Sequence, residues 1–113
     1  MIQLYHNPRC GKSRNCLIYI EKSRQDYEII KYLEHNITFE EMVSLLKKLN
    51  MKPIQLVRSK EKIWIENFKS KLLSDDQIIQ AMINHPILIE RPIMIKGDKA
   101  IIGREIDKIE AFI

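Results

Sequence analysis

Residues 2–20 read IQLYHNPRCGKSRNCLIYI. The stretch falls into three parts. Ile2-Gln3-Leu4-Tyr5 is a short apolar run suited to a strand. His6 to Lys12 holds Pro8, Cys10 and Gly11, which suit a turn. From Ser13 to about Ser23 the chain reads as a helix, with Leu17 and Ile20 on its apolar face. The unit is strand, loop, helix, and the loop carries a cysteine. Ser23-Arg24-Gln25 is turn-like, and Tyr27-Glu28-Ile29-Ile30 reads as a second strand. A crossover helix between two strands implies that they pair in parallel.

Further along, Thr38-Phe39-Glu40-Glu41 is a capping box that opens a helix. Met42, Leu45, Leu46 and Leu49 follow it at amphipathic spacing. Pro53 suits the first turn of a short helix over 53–58. A second capping box, Ser74-Asp75-Asp76-Gln77, opens a helix carrying Ile78, Ile79, Met82 and Ile83, and Pro86 closes it. Ile93-Met94-Ile95 and Ala100-Ile101-Ile102 read as strands joined by the tight turn Lys96-Gly97-Asp98-Lys99, hence a hairpin. A last helix runs from about Glu105 to Phe112. The expected architecture is α/β: a mixed four-stranded sheet flanked by helices, with a helical insert over about 36–88, in a single domain spanning 1–113.

The chain has 113 residues, enough for a single core. Its 19 basic and 15 acidic residues leave a net charge of +4, with the lysines scattered. Nucleic-acid binding calls for a clustered basic stripe, so it is not expected. No apolar run approaches the roughly 18 residues of a membrane span. Residues 1–6 lack the basic start and long apolar core of a secretory leader. A cytoplasmic protein without membrane attachment is therefore expected.

Cys10 and Cys16 are the only cysteines. Their C-x5-C spacing disfavours a mutual disulfide, and no histidine stands at zinc-site spacing. Cys16 reads as a buried helix residue. For Cys10 two readings stay open, a buried turn residue or a reactive thiol. Its neighbours favour the second. Cys10 stands at the N-terminal end of a helix, where free N–H groups stabilise a thiolate. Gly11 leaves room beside the sulfur. Ser13 can cap the helix or donate to the thiol, His6 can act as its proton acceptor, and Arg9, Lys12 and Arg14 add positive potential. Far along the chain, Arg91 precedes Pro92 at a strand entry, where a cis bond is plausible. Such a bond would aim Arg91 at the cysteine loop. Arginine's planar fork suits oxyanions.

These residues carry a resemblance. His6-Asn7-Pro8-Arg9-Cys10-Gly11-Lys12-Ser13-Arg14-Asn15 resembles the active-site segment of glutaredoxin-linked arsenate reductases, the ArsC family. The likeness continues through Lys31-Tyr32-Leu33, Leu56-Val57-Arg58, His85 to Ile93, and Ile102-Gly103-Arg104. It implies a thioredoxin-like fold with a helical insert. It also implies reduction of arsenate to arsenite with glutathione as co-substrate and glutaredoxin as partner, and no bound metal or organic cofactor. Carried over, Cys10 is the nucleophile, and Arg58, Arg91 and Arg104 hold the oxyanion. His6 and Ser13 tune the thiolate, Asn7 and Gly11 support the loop, and Pro92 is a cis proline beside the site. Glu105 stands where the family commonly has proline, placing a carboxylate beside Arg104. The chain ends at 113, short of the extension in longer reductases.

Two other readings remain. One is a different thiol-dependent oxidoreductase. The other is a regulator resembling Spx, which binds RNA polymerase. The redox switch of such regulators is C-x-x-C, and Ser13 stands at its second position here.

Overall fold

The computed structural model describes residues 1–113. The chain forms two compact units, Met1–His35 with Arg91–Ile113, and Asn36–Glu90.

The first unit holds strands β1 (Ile2–Tyr5), β2 (Tyr27–Ile30), β3 (Ile93–Lys96) and β4 (Lys99–Ile102), with helices α1 (Gly11–Lys22) and α6 (Ile106–Phe112). The sheet order is β2-β1-β3-β4. β1 pairs in parallel with β2, and antiparallel with β3, which pairs antiparallel with β4. The mixed four-stranded sheet is thus the one the strand pattern implied. Between β3 and β4 the positive φ falls on Gly97, at 64°. That left-handed first position is the one a two-residue hairpin turn fills with glycine.

Alternation on β1 directs Ile2 and Leu4 into the core. They pack with Met94 of β3, Cys16 and Ile20 of α1, and Ile109 of α6. Each of the large apolar side chains buried there is worth about 1.5–3 kcal/mol. Cys16 is fully buried, as its helix position suggested. Tyr5 and Tyr32 stack with ring centroids 6.0 Å apart. Helix α1 starts two residues earlier than the sequence suggested, because Cys10 itself occupies the N-cap.

The second unit is helical: α2 (Phe39–Leu49), α3 (Pro53–Leu56), α4 (Lys62–Asn67), α5 (Asp75–Asn84) and a 3₁₀ turn at Pro86–Leu88. Both expected capping boxes form. Met42, Leu45 and Leu46 of α2 and Ile78, Ile79 and Met82 of α5 are buried. Helix α3 ends at Leu56, short of the expected Arg58. Val57 turns extended and bridges to Ile89, and the Arg58 N–H donates to the Leu88 carbonyl at 2.7 Å. That tertiary pairing overrides the short helix's tendency to continue. Helix α4 had no counterpart in the sequence reading. Its buried Trp64 stacks on Phe68 at 5.5 Å.

Candidate active site

The loop between β1 and α1 is built by local hydrogen bonds. The Cys10 N–H donates to the Asn7 carbonyl at 3.0 Å, closing a turn over Pro8 and Arg9. The Asn7 side chain accepts from the Arg9 N–H at 3.0 Å, a motif in which asparagine supports a turn. Arg14 folds back, and its Nη1 donates to the Pro8 carbonyl at 3.0 Å. Arg9 thus enters through its backbone, while its side chain is exposed. The Cys10 carbonyl accepts from the Arg14 N–H, the first helical bond of α1.

Cys10 is half-buried, with extended backbone dihedrals at the N-cap of a twelve-residue helix. Burial alone would raise its pKa. The Ser13 N–H, the Arg91 side chain, the Lys12 N–H and the Arg91 charge outweigh that, and the thiol ionises below its ordinary value. The thiolate is therefore held by backbone donors at a helix N-terminus and by one guanidinium. Cys16 behaves oppositely. Fully buried without a charge partner, its thiol is pushed up to about 12.

Ser13 is fully buried, and its hydroxyl points away from the role of cap. Ser13 Oγ lies 2.7 Å from His6 Nδ1 and accepts from the Asn7 N–H at 3.0 Å. It is the backbone of Ser13, rather than its hydroxyl, that lowers the thiol's pKa. The pKa of His6 is lowered by burial and by the nearby charges of Lys31 and Arg14. His6 is not one of the groups that lower the thiol's pKa, and its contact is with the buried Ser13 hydroxyl. Gly11 is exposed, and a methyl there would meet nothing closer than Arg14 Nη2 at 3.7 Å. The fold of the loop therefore does not demand glycine at 11.

The Arg91–Pro92 bond is cis. Arg91 reaches the sulfur, while its Nε and Nη1 are buried with no hydrogen-bond partner in the protein. Buried donors are nearly always paired, and leaving one unpaired costs about 1–3 kcal/mol. Arg104 Nη1 donates to the Arg91 carbonyl at 2.9 Å. The carboxylate of Glu105 pairs instead with Lys108 at 3.4 Å, so it does not neutralise Arg104 as its place in the sequence suggested.

The structure thus brings His6, Asn7, Cys10, Gly11, Ser13, Arg91, Pro92 and Arg104 into one unit. Arg58 belongs to the other. There its Nε lies 3.2 Å from Glu61 Oε1 and 3.9 Å from Glu90 Oε1. Sequence reasoning missed both carboxylates as partners, although Glu61 stands at the i+3 spacing that marks a helical pair. It also left Gly103 without a role. No three His, Cys, Asp or Glu side chains gather where they could hold a metal ion. No helix is long and apolar enough to cross a membrane.

Comparison with known proteins agrees with this geometry. A family model described as the ArsC family matches residues 5–112. An uncharacterised Escherichia coli protein, YfgD, is 38% identical over 96% of this chain and 92% of its own length. A Neisseria meningitidis protein named arsenate reductase is 34% identical over 97% of this chain and 96% of its own. A solved structure named arsenate reductase from Vibrio cholerae superposes with a TM-score of 0.92 at 36% identity, covering 99% of this chain and 97% of that one. The sheet order, the cysteine at the helix start and these matches agree on a thioredoxin-like fold, and the chain belongs to the ArsC family.

Proposed function

We propose that this protein reduces arsenate to arsenite, with Cys10 as nucleophile and thiols as the source of electrons. One observation carries the reading: a thiolate at a helix N-terminus lies beside a guanidinium whose Nε and Nη1 are buried without partners. An oxyanion supplies the acceptors that those donors lack. Arsenate is a tetrahedral dianion near neutral pH, and its oxygens can take donors from Arg91 while its arsenic faces the sulfur. Arg104 braces the Arg91 carbonyl and adds positive charge.

In this reading the Cys10 thiolate attacks arsenic(V), and an oxygen leaves as water after protonation. Arg91 and the N–H groups of Lys12 and Ser13 offset the charge that builds. Glutathione adds next as a second thiol, and a second arsenate oxygen leaves as water. A glutaredoxin thiol then takes the glutathione sulfur as a mixed disulfide. Those two thiols supply the electron pair that lowers arsenic to the trivalent state. Hydrolysis of the sulfur–arsenic bond releases arsenite and restores Cys10. No resolving cysteine in the chain is needed, which agrees with the burial and raised pKa of Cys16. The scheme uses no bound metal or organic cofactor, and its setting is the reducing cytoplasm.

The test is direct. Purified protein with arsenate, glutathione and glutaredoxin produces arsenite, and Cys10→Ser produces none. Full activity of Cys10→Ser overturns the mechanism. Turnover of other oxidised thiols that is indifferent to Arg91→Ala would favour a different thiol oxidoreductase.

A further inference from the structure

We infer that Gly103 and Cys16 form a spacer pair that sets where Arg104, and with it the Arg91 end of the site, is held. The inference rests on the reading that Arg91 receives an oxyanion. Gly103 is buried, and its φ is not in the left-handed region, where among the glycines only Gly97 lies. Its backbone therefore does not require glycine. Space does. A methyl at 103 would lie 2.8 Å from Cys16 Sγ and 3.3 Å from Met94 Sδ.

The sulfur is enclosed by apolar side chains. Cys16 is fully buried within the cluster of Ile2, Leu4, Ile20, Met94 and Ile109. It sits on α1, the helix whose N-cap is Cys10. On the other side, two consecutive residues grip the cis pair. The Gly103 N–H donates to the Pro92 carbonyl at 2.8 Å, and Arg104 Nη1 donates to the Arg91 carbonyl at 2.9 Å. The closeness of Gly103 to Cys16 is thus the distance at which the Gly103–Arg104 strap lies against α1. The same strap holds the backbone of the residue that serves the thiolate. Cys16, which has no part in the proposed chemistry, acquires a role as the sulfur against which the strap rests. Gly103 and Cys16 are positioning residues, since neither touches the proposed substrate.

The pair can be tested by exchanging its volumes. Gly103→Ala pushes the strap off α1 and weakens arsenate protection of Cys10 against iodoacetamide by about tenfold or more, the scale of one charge-assisted hydrogen bond. Adding Cys16→Ala removes the sulfur where the new methyl must go. The double variant then returns to within about threefold of the parent, the scale on which independent changes add. A merely structural role would lower the melting temperature of Gly103→Ala and leave arsenate protection intact, and that result overturns the inference. A folded double variant no better protected than Gly103→Ala overturns it too, as does a double variant that fails to fold. If Gly103→Ala alone fails to fold, protection in the double variant decides in the same terms. If arsenate fails to protect even the parent, the oxyanion reading falls separately. The pH profile of Cys10 alkylation then reads the placement of Arg91 without any anion. It should move toward the ordinary thiol value in Gly103→Ala and return in the double variant, and an unmoved profile overturns the spacer.

Discussion

Replacing Arg91 with alanine should separate binding from stability. The guanidinium offers Nε and Nη1 as buried donors with no partner in the protein. Each charge-assisted hydrogen bond to an oxyanion is worth about 1.5–3 kcal/mol, so two give at least about 3 kcal/mol, roughly 100-fold in Kd. The lower end is taken because the residue is only partly buried. The same two donors cost stability in the free protein, about 1–3 kcal/mol each at most when fully desolvated. Arg91→Ala keeps the backbone carbonyl that Arg104 holds, so its melting temperature should equal or exceed the parent's. Arg91→Lys keeps the charge without the fork and should fall between. The assay is arsenate protection of Cys10 from iodoacetamide across arsenate concentrations, beside thermal unfolding of each variant. A Kd within about threefold of the parent, inside the error of additivity, would mean that Arg91 does not hold the anion. A large fall in melting temperature would make the guanidinium a structural group.

Three further outcomes are expected. Ser13→Ala leaves His6 Nδ1 and the Asn7 N–H without their partner in a buried setting, and should cost about 1–3 kcal/mol in urea unfolding. Thr38→Ala removes the capping box of α2 and should cost about 1 kcal/mol by the same measurement. Cys16 gives an alkaline effect. Its folded pKa is raised to about 12, while the unfolded chain releases that proton near about 8.5. Stability therefore falls as pH rises between those values, because the unfolded state has bound fewer protons. Cys10 acts in the opposite sense and at lower pH: its lowered pKa adds stability as pH rises toward about 8.5 and no more above it. Unfolding curves of the parent and Cys16→Ala across that range isolate the Cys16 part, and equal slopes would contradict it.

Much of this was legible from local rules. The capping boxes at Thr38 and Ser74 fixed the starts of two helices, because side-chain and backbone donors satisfy each other within one turn. Gly97 marked the hairpin for a similar local reason. Helix α4 escaped because six residues with adjacent Ile63, Trp64 and Ile65 show no helical period. Helix α3 stops two residues short of its sequence expectation because the Val57–Ile89 bridge joins segments distant in sequence. The site divides likewise. Cys10 at a helix start and arginine before a strand-entry proline could be read from their neighbours. The choice of Arg104 for the Arg91 carbonyl and of Arg58 for Glu90 could not. Each arginine had several acids or carbonyls within sequence reach, and tertiary geometry selected among them. The fit of Gly103 against Cys16 depends on the close spacing of separate elements, which no sequence pattern encodes.

A thiolate at Cys10 poised for an oxyanion is what the proposed chemistry needs. Titrating Cys10 by the ultraviolet absorbance of its thiolate, and timing its alkylation with and without arsenate, tests it most directly. The midpoint should lie below the ordinary thiol value of about 8.5, and arsenate should slow alkylation. An ordinary midpoint, with alkylation indifferent to arsenate, would contradict it.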